Sequence, residues 1–285
     1  MRSLPARLCL LLLVACGGQD PSVPDAPLAA DAPIFATTWP LEWAGDRLLE
    51  GLGDVELLLP PGADPEHWSP ARSDLRRLQG AASIAVNGAG LEPWLETPSL
   101  PRSRLVDTSR RFRARLIEGE QETHSHGADG EHSHAPLLPH VWLDPNNLRL
   151  QVDALVEAWV ERYPDDADTL RERARAIEAE LRALDARWLE IAPRLRSDPP
   201  FADARTYAYL TERYDFEVRP LEESPAAGSL VLLEQAVAEP ASFGSDRRVV
   251  VLAPHGAPAS DPSLDYLACV NADLDALEAA LEESR

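Results

Sequence analysis

The sequence predicts an α/β protein of two lobes joined by a long helical spine. Three observations carry this. Short apolar runs alternate with helical segments between residues 34 and 107, the pattern of right-handed βαβ units in a parallel sheet. An apolar stripe then keeps helical spacing over residues 166–195. After Pro199-Pro200 the alternation returns, which sets a second α/β lobe beyond the spine.

Residues 34–40 read as a strand, with an amphipathic helix to about residue 50. Residues 54–60 are mostly apolar and lie between Gly53 and Pro60-Pro61-Gly62, as for a strand buried on both faces. Residues 73–78 give a short helix, 82–87 a third strand stopped by Gly88, and 104–107 a fourth. Residues 119–139 are polar, rich in Gly and His, and aperiodic, so they form a long loop. Asp144-Pro145 opens a helix with an Asp N-cap and a Pro in the first turn. Leu148, Val152, Leu155, Val156 and Val160 hold its spacing until Pro164. Asp166 starts the spine, whose stripe is Leu170, Ile177, Leu181, Leu184, Trp188 and Ile191. At ~1.5 Å per residue it reaches roughly 45 Å, enough to cross a lobe. The second lobe carries a strand near Phe201, a helix over 207–214 and a strand around Val218. Apolar runs at 230–233 and 249–252 and a closing helix over 264–283 complete it. The first lobe is thus residues 34–148, the spine region 149–196 and the second lobe 197–285, with no internal repeat evident in the sequence.

All 27 basic residues are Arg, against 48 Asp and Glu, for a net charge of −21. Without Lys there is no P-loop, no Schiff-base chemistry and no lysine base. The negative charge argues against nucleic acid, because phosphate contacts need a basic face. No His-Glu-x-x-His, Gly-x-Ser-x-Gly or Gly-x-Gly-x-x-Gly occurs, so no enzyme pattern stands out.

The first residues read as an address. Arg2 and Arg7 precede the apolar run 8–14, which ends in Leu13-Val14-Ala15-Cys16. That ending matches a bacterial lipobox, so Cys16 is expected to become the lipidated first residue. Residues 17–33 then form a flexible tether, and the protein is periplasmic or on the cell surface. Of Cys9, Cys16 and Cys269, the first is removed and the second acylated. No intramolecular disulfide can then form, and Cys269 reads as a buried, inert thiol.

Four of the seven His fall within eleven residues: His124, His126, His132 and His134, with Asp129 and Glu131 between the pairs. Neutral imidazole suits Zn²⁺, Cu²⁺ or Ni²⁺, and carboxylates can complete the shell. A Gly-rich loop must order itself on binding, so its affinity is expected to be modest.

Three segments together point to a known family. They are Leu59-Pro60-Pro61-Gly62-Ala63-Asp64-Pro65-Glu66-His67-Trp68, Asn87-Gly88-Ala89-Gly90-Leu91-Glu92-Pro93-Trp94, and the His loop followed by His140-Val141-Trp142-Leu143-Asp144-Pro145. Over nearly all of residues 34–285 the chain resembles the zinc/manganese substrate-binding lipoproteins of bacterial ABC importers, the ZnuA-like group. The resemblance implies two lobes with small, mostly parallel sheets joined by one rigid helix, with metal held between the lobes. It implies a monomer that partners an ABC importer permease and touches the membrane only through its anchor. The His-rich loop marks a zinc-type member, so Zn²⁺ is the expected cargo ahead of Mn²⁺, and the loop would collect it.

The implied ligands are altered here. His140 is kept. The position after Asp64-Pro65 is Glu66, with His67 one residue late. Ala204 stands where a second-lobe His belongs, beside Asp203. Ala253 stands where a late Asp belongs, with His255 two residues on. The stretch from Glu222 to Leu230 is short for the family. The expected metal residues are therefore His140, His67, Glu66, His255 and Asp203. The alternative is a degenerate member whose pocket is lost and which serves as an adhesin, scaffold or partner-binding lipoprotein.

Overall fold

In the first lobe, β1 (Ile34–Ala36), β2 (Val55–Leu57), β3 (Ser83–Val86) and β4 (Leu105–Asp107) form a four-stranded sheet in the order β2-β1-β3-β4. Every pairing is parallel. β1 and β3 are buried on both faces, as Ile, Phe, Ala and Val in a central parallel pair require. The computed structural model describes residues 32–96, 100–119, 135–223, 225–235, 246–258 and 264–283.

The first strand is shorter than its apolar run. It ends at Ala36, and Trp39-Pro40 open α1 (Trp39–Leu48). Pro fits the first helical turn, where its missing N–H has no partner to lose. β2 is likewise only three residues, and as an edge strand it exposes Glu56, which pairs with Arg77 of α2 (Arg72–Gln79). Complete burial of that run holds only where a sheet continues on both sides.

α3 (Pro145–Arg162) starts as its sequence requires: the Asp144 carboxylate accepts from the Asn146 N–H at 2.8 Å. α4 (Ala167–Ser197) is the spine. Its buried residues include Leu170, Ile177, Leu181, Leu184, Trp188 and Ile191, the stripe read from the spacing, and they pack on α3, α1 and α6.

The second sheet comprises β5 (Phe201–Ala202), β6 (Arg219–Pro220), β7 (Leu230–Leu233) and β8 (Arg248–Val251), all parallel, in the order β6-β5-β7-β8. This is the topology of the first sheet repeated, although the sequence shows no repeat. α5 (Ala208–Tyr214) and α6 (Tyr266–Glu282) flank it. Cys269 is half-buried on α6, packed against the main core.

One apolar core runs through both lobes, from Ile34 to Leu281, with a small cluster on the outer face of each sheet. Polar ties also cross between the lobes. Trp142 Nε1 donates to the Pro254 carbonyl at 2.6 Å, and the Trp39 amide to the Gly256 carbonyl at 2.8 Å. Arg213 of α5 meets Asp144 at 3.0 Å. No helix among the described residues is long and apolar enough to cross a membrane.

Candidate metal centre

In each sheet the connections diverge between two central strands, β1/β3 and β5/β7. Open parallel sheets bind ligands beyond the carboxyl ends of such strands. Thr37 follows β1, Asn87 follows β3, Asp203 follows β5 and Glu234 follows β7.

On the first-lobe side a buried polar network fixes the frame. The Glu92 carboxylate accepts from Thr37 Oγ1 at 2.6 Å, the Asn87 N–H at 2.8 Å and the Gly88 N–H at 3.0 Å. Burial pushes Glu92 up to about 7, against these donors. Asn87 Nδ2 in turn donates to the Pro139 carbonyl at 2.9 Å, and Gln151 of α3 donates to Asn87 Oδ1 at 3.1 Å. The residue before His140 is thereby pinned to the end of β3. Glu118 and Leu137 form an antiparallel bridge that closes the stem of the His-rich loop just ahead of it. The loop histidines His124, His126, His132 and His134, and Cys16, lie outside the described residues.

His140 is 4% exposed, its ring edge-on to Trp142 with centroids 5.2 Å apart. Burial pushes it down to about 4; Asp64 and Asp203 oppose that, and Arg205 adds to it. The imidazole is therefore neutral at pH 7 and offers a lone pair. Nδ1 is buried without a hydrogen-bond partner, and Nε2 lies 3.5 Å from Glu66 Oε1. With His140 neutral this contact is not an ion pair. It is close to the separation of about 3.4 Å expected between two ligands of a tetrahedral Zn²⁺ bound at ~2.0–2.1 Å.

Asp64 decides which neighbour turns inward. One of its oxygens accepts the Glu66 amide at 2.9 Å and the other meets His67 Nδ1 at 2.6 Å. The turn presents Glu66 to His140 and leaves His67 exposed, with its pKa raised by the Asp64 hydrogen bond. Burial raises the Glu66 carboxyl, helped by Asp64 and Glu234 and opposed by Arg205 and His67.

On the second-lobe side Asp203 Oδ1 caps a tight turn, accepting from the Arg205 N–H at 2.7 Å and the Thr206 N–H at 3.2 Å. Ala204 lies exposed in it. Thr206 Oγ1 donates to Glu234 Oε1 at 2.5 Å. His255, at φ +50°, sits elsewhere: its Nε2 meets Asp273 Oδ2 of α6 at 2.9 Å, between Trp39 and Tyr266. Asp273 also accepts the Ala253 amide at 2.8 Å. The structure thus brings Glu66 to His140, sets Asp203 across from them, and keeps His67 and His255 in other contacts. Among the described residues no three His, Cys, Asp or Glu converge tightly enough to enclose a metal. Arg205 and Glu234, whose charges bear on Glu66, are not among the residues the sequence singles out. The available signal for Glu234 was its place directly after the apolar run of β7.

The model of one family, "Zinc-uptake complex component A periplasmic", matches residues 34–239. The chain belongs to this ZnuA family. Members are periplasmic binding proteins of ABC import systems, so this one is a metal-binding protein and not an enzyme. It is 25% identical over 235 residues to the high-affinity zinc uptake system protein ZnuA of Bacillus subtilis, covering 79% of this chain and 73% of that one. It is 28% identical over 199 residues to the zinc-binding lipoprotein AdcA of Streptococcus pneumoniae, covering 66% of this chain and 37% of that longer protein. Its fold is that of the metal-dependent lipoprotein YcdH of Bacillus subtilis, with a TM-score of 0.70 at 20% identity, covering 86% and 97% of the two chains. These likenesses account for both ZnuA-type lobes and the spine.

Proposed function

We propose that this protein captures Zn²⁺ between its lobes and delivers it to an ABC importer permease, tethered to the membrane through Cys16. His140 and Glu66 are the first-lobe ligands, and Asp203 faces them from the second. His67 and His255 are outer groups that could reach the metal only by leaving Asp64 and Asp273. His124, His126, His132 and His134 gather the ion and raise its local concentration. One observation carries the reading: a buried, neutral His140 presents Nε2 3.5 Å from the Glu66 carboxylate where the two sheets' strand ends face each other. The zinc-binding names of the relatives support Zn²⁺ ahead of Mn²⁺.

The test is calorimetric Zn²⁺ titration of wild type, His140→Ala and a deletion of residues 120–134. Tight one-to-one binding that disappears in His140→Ala is expected. Weak binding that disappears only with the loop would overturn it. That second outcome belongs to the alternative, an adhesin or scaffold that keeps the fold without the pocket. The absence of three convergent donors among the described residues favours it.

A further inference from the structure

The buried network at the ends of β1 and β3 has two complete arrangements of its hydrogens. In the first, the Glu92 carboxylate is ionised. It accepts from Thr37 Oγ1 at 2.6 Å and from the Asn87 and Gly88 amides at 2.8 and 3.0 Å. In the second, Oε1 carries a proton taken up from solvent and donates it to Thr37 Oγ1. The Thr37 hydroxyl then turns its own hydrogen to the Ala85 carbonyl, 3.4 Å away, and the Asn87 amide keeps Thr37 Oγ1 as acceptor at 3.2 Å. The Gly88 amide keeps Oε2. Strength is what changes, because hydrogen bonds to an ionised carboxylate are roughly twice as strong as neutral ones. Those bonds hold a strained turn: Gly88, Ala89 and Gly90 lie at φ +75°, +51° and +80°, and Ala89 carries a Cβ there. Asn87 passes the position of the turn on, since its Nδ2 donates to the Pro139 carbonyl at 2.9 Å, next to His140.

We propose that Glu92 is a proton-sensitive positioning residue for metal capture. Ionised, it holds the turn 87–90 and, through Asn87, the Pro139-His140 segment. Protonated, it loosens both, so that cargo is bound more weakly in acid. This rests on the zinc-binding reading above, with His140 as a ligand. Burial, which lifts Glu92 to about 7, sets the exchange between the two arrangements near neutral pH. Asp107 of β4 is the charged group that bears on Glu92, and it adds to that rise; Arg113 in turn meets Asp107 at 3.2 Å. β1 brings the neutral Thr37, and α3 reaches the network through the neutral Gln151. His140 stays neutral down to about 4, so it does not charge over the same range. Linkage adds a second consequence: bound metal lowers the proton affinity of Glu92 by the same factor that the proton lowers metal affinity.

The experiment has two arms. In metal-free wild type, ¹⁵N–¹H spectra follow the Asn87 and Gly88 amides between about pH 8 and about pH 5.5. Both are expected to titrate together with a midpoint near 7, and to stay still in Glu92→Gln, which keeps the neutral arrangement at every pH. Zn²⁺ titration at the two ends of that range is the second arm. Wild type should lose at least about fivefold more affinity than Glu92→Gln on acidification, with the two proteins alike at the acid end. Groups such as Glu66 and His67 titrate in both proteins and cancel in the comparison. Zn²⁺-saturated wild type should show its amide midpoint lowered by about 0.7 pH unit, the same fivefold effect read from the other side. The wild-type amide titrations with and without Zn²⁺ need no variant, so they decide the matter even if Glu92→Gln does not fold. Amides that do not titrate, a midpoint that Zn²⁺ leaves in place, or parallel affinity losses in the two proteins overturn the proposal alone. No Zn²⁺ binding by wild type at either pH overturns it together with the zinc reading beneath it.

Discussion

His140 is a residue whose burial has a measurable consequence before any metal arrives. In the native protein it titrates near 4, against 6.5 for a solvated imidazole. As pH falls from 7 the unfolded chain takes up the proton first, so stability is lost between about 6.5 and 4. Glu92, held up to about 7, works the other way. The native state binds its proton first, so that contribution is full at low pH and fades as pH rises through 7. The two overlap, and only a variant separates them. Metal-free wild type should lose about 2 kcal/mol more than His140→Gln between pH 7 and pH 4.5, read by urea denaturation. Identical losses would show that His140 is solvated. Part of this site was legible in the sequence. His140 stands in its motif, and the Asp64-Pro65-Glu66-His67 turn was singled out. Which of Glu66 and His67 turns inward was not legible, because the Asp64 carboxylate decides it through two hydrogen bonds.

At the scale of elements, long periodic segments were legible in place and extent, and short strands in place but not in length. The α4 stripe lies on the core as its spacing demands, because 31 residues of helix average over local accidents. β6 forms at Arg219–Pro220, one residue beyond the strand expected around Val218, because pairing with β5 and not an apolar run sets its register. The link between α5 and the loop stem could not be seen in sequence either. Tyr209 Oη donates to the Leu138 carbonyl at 3.0 Å and accepts the Ile117 amide at 3.1 Å. One hydroxyl therefore joins the second lobe to both feet of the His-rich loop. Tyr209→Phe leaves two polar groups there without that partner, at a cost of about 1–3 kcal/mol. Hydrogen exchange should show the Ile117 and Leu138 amides opening faster in the variant. Protection equal to wild type would mean that the stem holds without α5.

At the scale of the whole molecule, two sheets of identical order face each other across a seam, yet they are not independent domains. The principal core includes Ile34 and Val55 of the first lobe, Leu170 to Leu195 of the spine, and Leu230 to Leu281 of the second. Trp142, Trp39 and Arg213 add polar ties across the same seam. Proteins whose lobes have separate cores unfold in separate steps, whereas a shared core couples them. This protein should therefore unfold in one cooperative transition. Tryptophan fluorescence, to which Trp39, Trp43, Trp68, Trp94 and Trp142 of the first lobe contribute, should follow the same urea curve as far-ultraviolet circular dichroism. A cavity in the spine must then weaken both lobes together. Leu181 is 1% exposed, and Leu181→Ala should cost about 2–5 kcal/mol and move both curves by the same amount. Two separated transitions, or a shift confined to one probe, would show that each lobe holds itself, and that the spine connects the lobes without uniting them.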